Sequence, residues 1–115
     1  MPVRHIYERE SLDVHIRERG DSSLVIEVVG EVDSDNCAEL RRRLADLMIG
    51  ESTARVALDL AELTFIGSAG VRELLHCREA AERYGGHFEI CEAHEHVRQV
   101  LHLCGLTELL RLRAA

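Results

Sequence analysis

The chain has 115 residues, of which 46 % are apolar and only 3 % aromatic, and its net charge is −7. That length supports one domain spanning 1–115, whose core has to be built from Leu, Val, Ile and Ala. The acidic balance argues against nucleic acid or an anionic membrane surface as main partner, because phosphate repels it. All 14 basic residues are Arg, so no Schiff-base or phosphate-cradling lysine exists. Cys37, Cys77, Cys91 and Cys104 form no C-x-x-C pair and are expected to be buried, reduced thiols. No apolar run reaches the length of a membrane span, and the start MPVRHIYERES lacks a signal-peptide core, so a cytoplasmic location is expected.

Residues 1–10 read as a loose lead-in or a short strand. Leu12 to Arg17 alternates apolar and polar residues, the pattern of a half-buried strand. The cluster Gly20-Asp21-Ser22-Ser23 predicts a turn, and Leu24 to Val29 a second strand, giving an antiparallel hairpin. Gly30-Glu31-Val32-Asp33 closes that strand, and Asp33 or Ser34 can cap the next helix. Cys37, Leu40, Leu44, Leu47 and Met48 form the inner face of that helix, Arg41, Arg42 and Arg43 point outward as a solvated face, and Gly50 stops it.

Ala54 to Leu60 has the near-continuous apolar character of a buried central strand. After a linker through Thr64-Phe65-Ile66, the second helix runs from about Ser68 to Tyr84, with Val71, Leu74, Leu75 and Cys77 or Arg78 inward. Gly85-Gly86 ends it. His87 to Cys91 reads as a strand, Glu95 to Cys104 as a third helix closed by Gly105-Leu106, and Leu109 to Leu112 as a last short strand. The predicted order is β-β-α-β-α-β-α-β. It implies an α/β fold with a mixed, mostly parallel sheet, an N-terminal hairpin and helices packed on it.

One position stands out chemically. Ser68 sits where a strand hands over to a helix, at the positive end of the helix dipole among backbone N–H groups without intrahelical partners. A serine there can serve as an N-cap. A phosphoserine there would be held by the same groups. Cys91, His94, His96, His102 and Cys104 do not match the spacing of a zinc motif, and no metal is expected; Cys91 and Cys104 read as core residues. A Ser68, His and Asp59 triad lacks the Gly-x-Ser-x-Gly elbow, so no enzyme activity is expected.

Three motifs, in order and at fitting distances, carry a resemblance over about 24–110. They are Gly30-Glu31-Val32-Asp33; Val56-Ala57-Leu58-Asp59-Leu60 with Phe65-Ile66-Gly67-Ser68-Ala69-Gly70; and Val97-Arg98-Gln99-Val100-Leu101 with Cys104-Gly105-Leu106. Together they resemble the STAS domains of bacterial anti-sigma factor antagonists. The resemblance implies a protein that binds an anti-sigma factor serine kinase and thereby frees a sigma factor. The kinase would use Mg-ATP to phosphorylate Ser68 and end the binding, and a phosphatase would restore it. Asp33 matches an acidic residue beside the serine, and Asp59 an acidic or amide position at the end of the central strand. The docking surface implied comprises Asp33, Gly67, Ser68, Ala69, Gly70, Val71, Arg72 and Leu75. Gly67 stands where the family usually has Asp, and Ala69 where Ser or Thr is common. The resemblance implies no cofactor, and a monomer or weak homodimer. The alternative is a STAS-type scaffold without a phosphorylation cycle.

Overall fold

The computed structural model describes residues 12–49 and 54–114. The lead-in at 1–10 and the stop at Gly50 lie outside them. Among the described residues, five strands and three helices follow in the order β1 (Asp13–Arg19), β2 (Ser23–Val32), α1 (Cys37–Ile49), β3 (Arg55–Leu60), β4 (Leu63–Ile66), α2 (Ser68–Arg83), β5 (His87–Ala93) and α3 (Glu95–Leu103). The predicted order missed β4. Its four residues are too few to show alternation, and the Ala61-Glu62 turn before them is short. The expected final strand is instead a turn ending in a single parallel bridge, Ile90 to Leu112.

The sheet order is β1-β2-β3-β5, with β4 also paired to β2. β1 and β2 form the antiparallel hairpin, and the other pairings are parallel. β2 is long enough to serve two partners. Its Ser23 to Glu27 stretch pairs with β3, and its Gly30 to Val32 stretch pairs with β4. The pairing Val32 to Ile66 therefore brings the ends of β2 and β4 side by side.

Alternation along the strands explains the core. Val14, Leu24, Ile26, Val28, Val56, Leu58, Phe88 and Ile90 are buried with Leu40 and Leu44 of α1 and Leu74 of α2. Each such side chain contributes roughly 1.5–3 kcal/mol relative to exposure. Gly70 is where α2 rests on the sheet. A Cβ there would lie 2.7 Å from both Ile66 Cγ1 and Val32 Cγ1, so only glycine permits the approach. Neighbouring residues of β4 point to opposite faces; Ile66 meets α2, whereas Phe65 stacks on His96 of α3. The two helices thus lie on opposite faces of the sheet there.

Ion pairs run across the sheet from the hairpin to β5. His15 bridges Asp13 and Glu27, each at 3.0 Å, Arg17 pairs with the buried carboxylate of Asp59, and Arg113 pairs with Glu89. Both longer-range helix stops behave as the glycines predict. Gly85 and Gly105 have φ of 81° and 72°, and the following N–H groups reach back to Ala81 O and Leu101 O. Two expectations for exposed and buried groups are corrected. Arg41 and Arg43 are not simply solvated, since Arg41 pairs with buried Glu73 and Arg43 donates to the carbonyls of Leu12 and Val14. Cys104 is exposed at the end of α3, and Cys37 is only partly buried. Cys77 and Cys91 are buried as expected, and burial pushes the Cys77 thiol up to about 12.

Candidate functional site

The site is assembled by the adjacent ends of β2 and β4. Gly67 N donates to Val32 O at 2.9 Å, which ties the loop before α2 to the loop before α1. Asp33 and Gly67 each follow a member of the Val32–Ile66 pair, so Asp33, Gly67 and Ser68 come together. Asp33 rather than Ser34 caps the α1 turn. Its Oδ1 accepts from the N–H groups of Asp35 at 2.9 Å and Asn36 at 3.3 Å, and Asn36 Oδ1 accepts from Asp33 N at 2.9 Å.

At α2 the cap position belongs to Gly67, with φ −93° and ψ −180°, and no side chain caps the helix. The expectation that Ser68 is the N-cap is therefore corrected: Ser68 is the first helical residue, and its side chain is exposed. The reason is local. Gly67 already has the extended backbone a cap requires and follows directly on the last residue of β4, so the helix begins one residue later. The first N–H groups of α2 have no intrahelical acceptor, and the dipole makes that end positive.

The other expected surface residues divide in two. Arg72 is exposed one turn beyond Ser68, and Ala69 and Leu75 are partly exposed. Gly70 and Val71 are buried and hold the helix on the sheet from beneath. Asp59 is buried too; its carboxylate accepts from Arg17 and, at 3.0 Å, from Ala61 N, so it braces the β3–β4 turn.

Sequence reasoning quoted Phe65 only as part of a motif. It is 41 % exposed, its ring lies 5.7 Å from that of His96 at 16°, and its edge would be 3.7 Å from a Cβ at residue 67. An aromatic at a strand end in a chain with few rings was the available signal. Glu73 was also missed. It is a charged residue on the inner face of α2, held by Arg41 through bonds of 2.9 and 2.6 Å. Hydrogen bonding from Arg41 keeps the Glu73 carboxyl below its ordinary value despite burial, and the same contact raises Arg41.

Among the described residues no cluster of His, Cys, Asp or Glu could hold a metal ion, and no helix is long and apolar enough to cross a membrane. The arrangement is thus an exposed hydroxyl at an open helix end, flanked by an acidic loop and an aromatic ring.

A mixed sheet with this topology and this helix start defines a STAS domain. The family model described as "Mlab, STAS domain" matches residues 15–112, and the chain belongs to that family, among the anti-sigma factor antagonists. It is 33 % identical over 89 residues to the "Putative anti-sigma factor antagonist BtrV" of Bordetella bronchiseptica, covering 77 % of this chain and 76 % of that one. The crystal structure of an anti-sigma factor antagonist from Mycobacterium paratuberculosis superposes with a TM-score of 0.78 at 24 % identity, covering 92 % of this chain and 88 % of the other. The antagonist SpoIIAA in its unphosphorylated form gives 0.73 at 19 % identity, covering 90 % and 88 %. The phosphorylated form of SpoIIAA from Bacillus gives 0.66 at 18 % identity, covering 90 % and 91 %. These structures share the fold.

Proposed function

We propose that this chain binds an anti-sigma factor that is also a serine kinase, releases a sigma factor by doing so, and is switched off by phosphorylation of Ser68. The observation that carries the reading is the exposed Ser68 hydroxyl directly behind a cap position that has no side-chain acceptor. The γ-phosphoryl group of Mg-ATP would pass to Ser68 Oγ, whose proton is lost as ADP leaves. The product adds about −1.5 to −2 charges at pH 7. The open amides of α2 stabilise that group, so the fold accepts it. The docking face does not: beside Asp33 and the exposed Glu31 and Asp35, a further dianion repels an acidic partner face and resists desolvation against an apolar one. The protein acts by contact in the cytoplasm and is a substrate rather than an enzyme. A phosphatase resets it. The similarity to BtrV and the existence of SpoIIAA in both phosphorylation states support this reading.

The test is to incubate the full chain with the anti-sigma kinase encoded nearest to it and Mg-ATP, and to weigh it intact. A single added phosphate that disappears in Ser68→Ala is the expected result. A kinase that binds tightly yet leaves the mass unchanged would instead favour the scaffold reading.

A further inference from the structure

Away from the Ser68 end, the described residues leave a cleft of about 600 Å3 between α1 and α2. One wall carries Leu44, Ala45 and Met48, the other Cys77, Ala80 and Ala81, and Val56 of β3 lies beneath. Alanines on both walls are too short to fill the space between two helices, and the volume suits an organic ligand. The lining is apolar except near its ends. At one end stand Arg41, Glu73 and His76, and at the other Tyr84 and His87.

The polar end has a definite sense. Both oxygens of Glu73 already accept from Arg41, through Nε at 2.9 Å and Nη2 at 2.6 Å. Arg41 Nη1 is not used in that bond, and the His76 ring stands 3.7 Å from the same carboxylate. Arg41 Nη1 and the His76 ring therefore offer N–H donors that can hold a ligand's acceptor group, a carboxylate among them. The α2 wall from Glu73 to Tyr84 rises about 16 Å, the reach of a saturated chain of about a dozen carbons.

The geometry points to a site for a long-chain carboxylic acid, its carboxylate on Arg41 Nη1 and His76 and its tail along Leu44, Met48 and Val56. This site is separate from the phosphorylation switch, and the two readings stand or fall independently.

The test is calorimetric titration of the full chain with dodecanoate below its micelle range, alongside dodecylamine. One saturable site is expected, with the amine weaker by about tenfold or more. Ala80→Phe, which fills the cleft, is expected to abolish binding. Ala45→Phe fills it from the exposed side of α1 and reads the same loss if the first variant does not fold. No saturable binding, equal affinity for the amine, or binding that survives in folded filled variants would overturn the assignment.

Discussion

The starts of α1 and α2 grow from the paired ends of β2 and β4, yet they are closed in opposite ways. At α1, Asp33 and Asn36 exchange hydrogen bonds between side chains and backbone, so the orphan amides are used within the chain. α3 is treated similarly, with His94 Nδ1 accepting from His96 N at 3.0 Å. At α2 the cap residue is Gly67, which has no side chain to accept from the amides. A helix that only has to hold its place carries its own cap. The helix with the exposed hydroxyl has no side-chain acceptor at its own cap position, an arrangement compatible with the switch proposed for Ser68.

The largest effect is expected at Gly70, which lets the α2 start sit on the sheet. Gly70→Ala forces a methyl group to within 2.7 Å of Ile66 and Val32. It should cost about 1–3 kcal/mol in urea unfolding, with a larger loss for Gly70→Val. Asp33→Ala removes the α1 cap and should cost about 1 kcal/mol. If it cost nothing, the closed state of α1 would owe nothing to its side chains.

Acid tests a bond between the same two helices further along. Glu73 is held below its ordinary value of 4.5, first by hydrogen bonding from Arg41. Its contribution to stability is therefore complete above that value and is lost as pH falls through the lower folded one. Glu73→Gln should flatten the loss of stability measured by denaturant titration below about pH 4.5. The wild-type slope persisting in the variant would assign the acid sensitivity elsewhere.

The smallest effect sharpens the contrast. Gly67→Asp supplies the missing acceptor, and a Cβ there meets only ordinary contacts at 3.7–3.9 Å. It should stabilise the protein by a few tenths of a kcal/mol.

Much of this was legible in the residues. Alternation at Leu24, Ile26 and Val28, the glycine stops at Gly85 and Gly105, and the motif around Ser68 each report a local rule of backbone or burial. What escaped depends on tertiary neighbours. β4 exists because the far end of β2 needs a partner, which four residues cannot announce. Arg41 looked like one of three solvated arginines until α2 placed Glu73 against it. The position of the α2 cap turned on a single residue, because glycine and serine are both acceptable there.

The most direct test of the open helix end is the affinity of the anti-sigma kinase for the full chain before and after stoichiometric phosphorylation at Ser68. A loss of about a hundredfold, equivalent to ~3 kcal/mol, is predicted, with circular dichroism unchanged. Equal affinity for the two forms would contradict the account.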